Sequence, residues 1–359
     1  MITKDVNKRV ERTDIFRSFS SEYYNWILNE QTGAFERWGK HKEDDPLFSP
    51  FGPELVDMEI STICSGPTGT TPCKHCYKSN TSVGKNMPFE TFKRIFDKLP
   101  HTVGQIAFGI GDIDGNPDLW QIMWYCREND YNPNVAPNIT INGARLTDHS
   151  AGLLAEFCGA MAVSNYGADI CYPAVQMMTD KGMKQVNIHQ ILSVETFDTC
   201  IQLMRDSKED PRLKNLNAIV FLLLKPKGKR NNLTPLTDLN KWKELSQFAF
   251  DNNIRIGFDS CSSPWFLDAI ADHPFFKRIA ISVEPCESSC FSAYINVDGF
   301  FVPCSFCEDV LDGWDEGLSV LGCNDFMTDI WFNEKTVLFR KALLEKKKSG
   351  DFHCPVFAI

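Results

Sequence analysis

The sequence predicts an α/β fold: a partial (β/α)6 TIM-like barrel with a small C-terminal β-hairpin/helix unit after it. Between about residues 55 and 260, short apolar segments alternate with helical patterns of period 3.6. This alternation is typical of a parallel sheet with right-handed crossovers. Six strand–helix pairs and one further strand are too few for a closed eight-fold barrel, so we expect an open, curved sheet.

The predicted strands are short runs of apolar and β-branched residues. They cover residues 56–63, 105–109, 138–141, 160–164, 185–191, 218–224 and 254–258. The first helix begins at Pro88, a favoured first-turn residue, and carries Phe92 and Ile95 on one face. The helix after the sixth strand shows the same one-sided pattern, with Trp242 and Leu245 on one face.

Composition divides the chain into three parts. Residues 1–54 are polar and aromatic and end in a proline-rich stretch, so we expect an N-terminal arm that packs on the core. Residues 55–260 form the predicted barrel. Residues 261–359 form the predicted C-terminal unit, with a hairpin that turns at Asp298-Gly299 and a helix near residues 334–347.

The overall composition is that of a soluble globular protein, with 43% hydrophobic and 23% charged residues. A net charge of −10 gives the bulk surface no electrostatic reason to bind nucleic acid, so we expect no such partner. We interpret one basic cluster as a solvated loop: Lys225, Lys227, Lys229 and Arg230. The N-terminus has no apolar core and no segment is long enough to span a bilayer, so we expect a cytoplasmic protein without a membrane partner.

Three cysteines cluster directly after the first predicted strand: Cys64, Cys73 and Cys76. In parallel sheets of this kind, the chemistry is placed at the carboxyl ends of the strands. In a reducing compartment, clustered cysteines indicate metal or redox chemistry rather than disulfides. An iron–sulfur cube held by three cysteines leaves one iron open for a further ligand. The alternative is a zinc site of the Cys₃His type, with His75 as the fourth ligand.

A second group of cysteines lies in the C-terminal part. Four of them fall within 22 residues around the predicted hairpin, and a fifth lies near the end of the sequence: Cys286, Cys290, Cys304, Cys307 and Cys354. The isolated cysteines are interpreted as small buried apolar residues: Cys126, Cys158, Cys171 and Cys200.

With these motifs the chain resembles the radical S-adenosylmethionine (SAM) superfamily. Its C-terminal part resembles the SPASM/twitch extension, which carries an auxiliary 4Fe-4S cluster. Cys64, Cys73 and Cys76 match the superfamily's Cys-x3-Cys-x2-Cys motif, but with eight residues in the first gap. The resemblance implies that they hold a 4Fe-4S cluster whose open iron binds SAM. Cys286 and Cys304 match the SPASM/twitch hairpin motif Cys-x(9–15)-Gly-x4-Cys.

Further segments resemble SAM-binding motifs of the superfamily, in the same order along the chain. Gly111-Asp112 resembles a Gly-Glu pair after the second strand, and the shorter Asp can still accept a hydrogen bond from the SAM ammonium. By this resemblance, the residues implied in SAM binding are Tyr77, Gly111, Asp112, Asn142, Ser164, Asn187 and His189. For His189, a buried core histidine is an equally open interpretation.

For the auxiliary cluster, the resemblance to related maturases implies four ligands: Cys261, Cys286, Cys304 and Cys354. Cys290 and Cys307 are the alternates. The ending Cys354-Pro-Val-Phe357 lacks the second cysteine of the common Cys-Pro-x-Cys motif, so we do not expect a second auxiliary cluster.

The resemblance implies an enzyme of the oxidoreductase or maturase type. It would reductively cleave SAM to a 5′-deoxyadenosyl radical and abstract hydrogen from a substrate, which we expect to be a peptide or protein side chain. Dehydrogenation of a small molecule is the alternative, and a non-enzymatic zinc or iron–sulfur protein is the alternative of another class. The expected electron donor is a flavodoxin or ferredoxin. The motifs assign no catalytic residue.

Overall fold

The computed structural model describes residues 8–13 and 15–359 of the chain. The expectation of a cytoplasmic protein rests in part on the N-terminal segment, which has no apolar core. Residues 1–7 of this segment lie outside the described residues. None of the helices in the described residues is long and apolar enough to cross a lipid bilayer.

The chain begins with a four-stranded antiparallel sheet, where the sequence indicates only an arm. Its strands pair in chain order: β1 (Arg9–Arg12), β2 (Phe16–Ser20), β3 (Asn25–Asn29) and β4 (Phe35–Trp38). One face of this sheet buries Phe19, Trp26 and Leu28. Trp26 packs on the main body of the protein, since a Cβ atom at Gly104 would lie 2.4 Å from its ring. The arm therefore packs on the core as a sheet.

A ten-stranded sheet forms the main body of the protein. Its strands are β5 (Leu55–Glu59), β6 (Gln105–Gly109), β7 (Ala136–Ile141), β8 (Ala160–Ser164), β9 (Val186–Leu192), β10 (Ala218–Leu223), β11 (Ile256–Phe258), β12 (Ser292–Ile295), β13 (Phe300–Val302) and β14 (Leu318–Ser319). Their order across the sheet is β11-β10-β9-β8-β7-β6-β5-β12-β13-β14. Strands β5 to β11 are parallel, and each pairs with the next along the chain.

A helix follows each of the strands β5 to β10, as the alternation predicts. These helices are α1 (Phe89–Phe96), α2 (Leu119–Glu128), α3 (Asp148–Phe157), α4 (Ala168–Asp180), α5 (Phe197–Glu209) and α6 (Leu239–Asp251). The C-terminal part adds α7 (Ser263–Ala269), α8 (Phe276–Ala280) and α9 (Glu334–Lys348), the last at the predicted position. Short 3₁₀ turns at Pro211–Leu213 and Ser260–Ser262 and a π turn at Met327–Trp331 complete the helical segments of the described chain.

The curvature of the sheet follows from its connections. Each crossover from β5 to β11 moves the chain to the adjacent strand in the same direction. Because such crossovers are right-handed, α1–α6 lie on one face of the sheet and leave the other face free. Met58 and Phe108 belong to the buried core with these helices, whereas the alternate residues Asp57 and Ala107 line a cavity on the free face. The described edge strands β11 and β14 do not pair, so the predicted partial barrel is confirmed.

The C-terminal hairpin continues the barrel sheet. Strand β12 pairs in parallel with β5, which places Tyr294 beside Asp57. Strand β13 returns antiparallel to β12, and Gly299 in the turn has φ +81°, at the predicted position of the turn. The proposed division at residues 54/55 therefore lies between two sheets, whereas the division at 260/261 lies within the ten-stranded sheet. The division into three domains stays a prediction.

A buried ion network joins the arm to the C-terminal part. The Arg37 guanidinium donates to Glu54 at 2.9 and 2.8 Å and to Glu287 at 2.9 Å, and it lies 3.5 Å from the centre of the Phe291 ring. Burial acts against the charge, but the bonds to Glu54 raise the pKa of Arg37 above its usual value. Removing one partner of such a network would leave an uncompensated buried charge.

Truncation of Trp26 tests how much the arm contributes to the fold. We expect Trp26→Ala to lower the free energy of unfolding by roughly 3–5 kcal/mol, the usual cost of removing a buried aromatic side chain. Phe16→Ala is the control, because Phe16 lies on the same sheet but is 43% exposed. Denaturant titration followed by circular dichroism measures both variants. Equal losses for the two variants would contradict the packing of Trp26 on the barrel.

Candidate functional site

A cavity of about 410 Å³ lies on the concave face of the barrel, at the carboxyl ends of its parallel strands. Its walls are the ends of β5 to β10, the loops that follow them, and the segment after β13. Parallel strands all end at one edge, so residues far apart in sequence meet there. Cys64, Cys73 and Cys76 all line this cavity, at the edge where the sequence places them.

The loop that carries these cysteines is fixed by backbone contacts. The Cys64 N–H donates to the Thr81 carbonyl at 2.8 Å. Gly66 has φ +79°, and a Cβ atom there would lie 2.0 Å from the Thr71 carbonyl oxygen, so the loop folds back tightly on itself. The Ser79 N–H donates to the Cys76 carbonyl at 3.0 Å. The long first gap between the cysteines is thus taken up by a compact loop.

The three thiols lie near one another in a partly buried environment. Burial raises the pKa of Cys64 to about 11 and also raises that of Cys73. Cys73 and Cys76 raise the pKa of Cys64 further, so the three groups are within electrostatic reach. Yet no group of three His, Cys, Asp or Glu side chains among residues 8–13 and 15–359 is placed to hold one metal ion.

His75 does not complete a zinc site in this structure. Its ring stacks on Tyr166, with 5.9 Å between the ring centroids. The Tyr166 hydroxyl hydrogen-bonds the Cys73 thiol, and burial raises the pKa of this tyrosine. Tyr166 is a site residue that the sequence does not single out, although it lies two positions after Ser164. The signal available in the sequence was an aromatic residue two positions after Ser164, one of the residues implied in SAM binding.

Gly111 and Asp112 fix the position of the first cysteine. Of the two, only Gly111 lines the cavity. A Cβ atom at Gly111 would lie 2.3 Å from the Cys64 Cβ, so only glycine fits. Asp112 is 1% exposed; it accepts from the Ser65 N–H at 2.7 Å and from the Asn142 amide at 2.9 Å. Gly111 and Asn142 line the cavity, whereas Asp112 lies behind them and ties the cysteine loop to the ends of β6 and β7.

The other residues implied in SAM binding are spread around the cavity. Tyr77, Ser164 and His189 line it. The Tyr77 ring contacts Phe306 with 4.4 Å between centroids, and burial raises the pKa of Tyr77. Asn187 shares a strand face with His189 but is not among the lining residues. Its side-chain oxygen accepts from Asn217 at 2.9 Å, nearer the amino end of the barrel.

Burial lowers the pKa of His189 to about 4, although Asp259 acts in the opposite direction. The imidazole is therefore neutral near pH 7, with one N–H donor and one acceptor nitrogen. Asp259 forms an ion pair with Lys225, which is only 3% exposed. The interpretation of the basic cluster as a solvated loop is wrong for Lys225, because a buried carboxylate outside that segment compensates its charge.

A charged network that the sequence does not indicate forms the wall near β12. The Lys78 ammonium donates to the Tyr294 hydroxyl at 2.8 Å and pairs with Glu59 at 3.2 Å and with Glu308. Burial raises the pKa of Glu59; it acts in the same direction on Glu308, but there the Lys78 charge prevails and lowers the pKa. This network joins the cysteine loop, the barrel and the segment after β13. Lys78 is 216 residues from Tyr294 and 230 residues from Glu308 in sequence, so no local pattern predicts these contacts.

The second group of cysteines also converges. The thiols of Cys304 and Cys307 lie 3.3 Å apart. Cys261 and Cys354 share a hydrogen bond, which lowers the pKa of Cys354 to about 6 and raises that of Cys261. Cys286 raises the pKa of both Cys261 and Cys307 electrostatically, so it lies within reach of both pairs. The four thiols chosen from the sequence therefore come together, and Cys307 joins them as a fifth.

Cys290 is placed elsewhere. It is fully buried in an apolar cluster that also contains Cys286, but the charges that act on its thiol are those of Lys347, Arg340, Glu287 and Arg37 and not those of the other cysteines. Its carbonyl accepts from the Ser49 N–H at 2.8 Å, which ties the arm to the C-terminal part. Of the two alternates considered from the sequence, the structure thus brings Cys307 to the group and not Cys290.

Comparison with known proteins gives a likeness of fold. No family model and no curated protein matches the sequence. SuiB of Streptococcus suis, solved alone and bound to S-adenosylmethionine, superposes with a TM-score of 0.61 at 13% identity. The match covers 86% of this chain and 78% of SuiB.

A second solved protein, anSMEcpe with bound AdoMet, superposes with a TM-score of 0.56 at 19% identity, over 80% of each chain. Its complex with AdoMet and the Cp18Cys peptide gives 0.54 at 16% identity, over 80% of this chain and 83% of that chain. At these identities the likeness shows the fold and no more. The fold that the resemblance to the radical SAM superfamily implies is confirmed over most of the chain.

The contact between Gly111 and Cys64 yields a prediction. We expect Gly111→Ala to displace the Cys64 loop, to lower the free energy of unfolding by roughly 1–3 kcal/mol through overpacking, and to speed alkylation of Cys64. Mass spectrometry after timed alkylation of the metal-free protein measures the reaction at each thiol. Gly152→Ala is the matched control, because nothing lies within 4 Å of a Cβ atom there. An unchanged alkylation rate at Cys64 in Gly111→Ala would show that the position has room for a methyl group.

Proposed function

We propose that the protein is a radical SAM enzyme that carries two 4Fe-4S clusters and acts on a peptide or protein side chain. The observation that carries the proposal is the convergence of Cys64, Cys73 and Cys76 on one wall of the barrel cavity. The fold is that of two proteins solved with bound SAM. These two observations are independent, since the one concerns side chains and the other concerns the backbone.

The three thiols fit the cluster in number and in their position at the cavity wall. No further cysteine of the described residues lines this cavity, so a cubane held here keeps one iron free. A 4Fe-4S cluster bound at this site supplies the low-potential electron that cleaves the sulfur–carbon bond of SAM. The position at the cavity wall would bring the nucleotide and the substrate together, and positioning of this kind accounts for much of a catalysed rate.

The residues of the chain bind and orient SAM around this wall. Neutral His189 can donate a hydrogen bond to the SAM carboxylate without adding a charge to the cavity. Ser164 lines the same wall with a hydroxyl that can donate or accept. Apolar side chains complete the enclosure and exclude water: Ile191, Leu222, Leu224 and Phe306.

The second cluster is assigned to the other group of cysteines. Cys261, Cys286, Cys304 and Cys354 are its proposed ligands, since their thiols influence one another electrostatically. Cys307 is a spare thiol beside Cys304. Phe306, within the same segment, lines the cavity, so this cluster would lie close to bound substrate.

A peptide substrate is favoured by the likeness of fold to anSMEcpe, which has been solved with a bound peptide. The cavity wall adds polar groups for a peptide side chain through Glu59, Lys78 and Tyr294. The alternative, dehydrogenation of a small molecule, uses the same first step and differs only in what enters the cavity. Asp57 lines the cavity and offers a carboxylate to either kind of substrate. Burial raises the pKa of Asp57 to about 6.

SAM cleavage tests the proposed activity directly. Oxygen-free protein reconstituted with iron and sulfide is expected to form 5′-deoxyadenosine when SAM and dithionite are added, measured by liquid chromatography. Iron analysis should give about eight irons per chain, and about four when Cys64, Cys73 and Cys76 are all changed to Ala. That triple variant should form no 5′-deoxyadenosine. A fully loaded wild-type protein that leaves SAM intact would contradict the proposal.

Single replacements test the assignment of the second cluster. We expect Cys286→Ala to lower the iron content by about four per chain, because a closed cubane needs all four ligands. Cys290→Ala and Cys307→Ala should keep their iron, since the other cysteines act electrostatically on Cys286 but not on Cys290, and Cys307 is the fifth thiol. Dithionite-reduced samples compared by electron paramagnetic resonance measure the loss of one signal. A Cys290→Ala protein that loses as much iron as Cys286→Ala would overturn the assignment.

A further inference from the structure

The loop after β10 packs directly on the loop that carries the first three cysteines. Gly228 has φ +104°, and a Cβ atom there would lie 2.3 Å from the Cys76 carbonyl oxygen. The Lys229 N–H donates to the Ser79 hydroxyl at 2.9 Å, and the Arg230 guanidinium donates to the Asn80 carbonyl at 2.8 Å. The two backbones are therefore in contact, and this loop covers the outer side of the cysteine loop.

The loop is held in place from within. The Asn231 amide donates to the carbonyls of Lys225 and Lys227, each at 3.1 Å. The buried ion pair of Lys225 with Asp259 anchors one end. The Lys227 ammonium donates to the Ser305 carbonyl at 2.9 Å, which joins the loop to the C-terminal part. The positions of the outer residues of this loop are thus fixed relative to the cysteines.

The outer side of this contact carries positive charge in a protein of net charge −10. Lys74, Lys229 and Arg230 are exposed, and none of them forms an ion pair with a carboxylate of the described residues. Arg230 bonds only to backbone carbonyls, including that of Cys73 at 3.5 Å. Three uncompensated cations therefore surround the outer side of Cys73.

This surface contacts the backbone of Cys73 and Cys76, the two more exposed members of the first cysteine group. Cys73 and Cys76 are partly exposed, whereas Cys64 is buried on the side of the barrel. Val83, three residues after Asn80 on the same loop, is 87% exposed and offers an apolar contact beside the cations. An apolar contact with a charged rim is typical of transient protein interfaces.

We propose that Lys74, Lys229 and Arg230 form the docking surface for an acidic one-electron carrier protein. This inference rests on the proposed function, because the carrier would reduce the cluster held by Cys64, Cys73 and Cys76. One electron passes from the reduced cofactor of the carrier to the cluster; no bond forms or breaks, and no group of this chain gives or takes a proton. Opposite charges on the two surfaces speed the encounter and orient the complex.

Nucleic acid is the other polyanion that such cations can attract. Three cations on a chain of net charge −10 are few for a phosphate backbone, whose binding usually draws on a larger basic surface. The surface lies at the cysteine loop and not along an extended groove. These observations favour an acidic protein, and nucleic acid becomes an outcome of the test.

Binding of a flavodoxin tests the docking surface without using activity. Oxidised flavodoxin is titrated with the reconstituted full-length protein, and its flavin fluorescence anisotropy is followed. We expect Lys74→Glu/Lys229→Glu to weaken binding roughly tenfold at low ionic strength, where charges act over about 30 Å. Lys229→Glu alone should lie between this variant and the wild type. At 0.15 M salt, where the Debye length is about 8 Å, the difference should shrink.

The matched control makes the same charge change at the other end of the barrel. Lys184 and Lys214 are exposed and lie before β9 and β10, at the amino ends of those strands. Lys184→Glu/Lys214→Glu should bind flavodoxin as the wild type does. If both double variants weaken binding equally, or if neither does, the docking surface is wrong. A 20-nucleotide single strand serves as a competitor. If it binds the Lys74/Lys229/Arg230 surface more tightly than flavodoxin does and displaces flavodoxin from it, the assignment of this surface to an acidic protein is also overturned.

Activity supplies a second readout that separates this inference from the proposed function. With NADPH, flavodoxin reductase and flavodoxin as the reductant, Lys229→Glu should form 5′-deoxyadenosine several-fold more slowly than the wild type at low salt. With dithionite, which needs no docking surface, the two should be equal. Equal rates under both reductants would overturn the docking surface and leave the proposed function standing. If the wild type is inactive with dithionite, the proposed function fails, whereas the titration still decides whether the surface binds.

Discussion

The parallel pairing of β12 with β5 is the constraint on which the rest of the structure depends. It places Tyr294 beside Asp57, although the two residues are far apart in the chain. Through this pairing the segment next to Cys304 comes to the cavity, where Ser305 and Phe306 line the wall. The buried network of Lys78 with Glu59 and Glu308 stabilises the same junction. Without this pairing, the segment that carries Ser305 and Phe306 would not reach the wall of the cavity that the first three cysteines line.

Electrostatics inside the cavity follows from burial. Low exposure keeps His189 neutral and the Cys64 thiol protonated in the metal-free chain. Thiols must lose their protons to bind metal, so cluster assembly is coupled to proton release. Within the cavity walls, positive charges are paired with carboxylates, as Lys225 is with Asp259. On the outer side of the cysteine loop, Lys74, Lys229 and Arg230 have no carboxylate partner among the described residues.

The barrel was predictable because its signal is local. Alternating apolar runs and one-sided helices give all six strand–helix pairs, and the clustered thiols give the site at the strand ends. The arm's sheet was not predictable in the same way, since its strands are short and carry buried charged side chains such as Arg17 and Arg37. Its stability depends on contacts with distant segments, and no periodicity within residues 1–54 records them.

The candidate site shows the same division between local and distant contacts. Gly111 could be singled out from its position after the second strand. The role of Asp112 behind the cavity wall could not, because it depends on hydrogen bonds with Ser65 and Asn142, which are distant in sequence. Tyr166 and Lys78 act through partners on other strands, so sequence patterns do not single them out. Asn187 lies on the same face of β9 as His189, but too near the amino end of the barrel to reach the cavity. The period-two alternation of a strand shows which face a side chain is on, but not how far along the strand the cavity begins.

The central claim is that the cubane in the cysteine loop has one iron without a protein ligand, free to bind SAM. Electron–nuclear double resonance on the reduced, oxygen-free protein with ¹⁵N-amino-labelled SAM tests it most directly. We predict a hyperfine coupling from the labelled nitrogen, which is absent when Cys64, Cys73 and Cys76 are replaced by Ala. A cubane whose fourth iron is already bound by a side chain, or a spectrum without any cubane from this loop, would contradict the account.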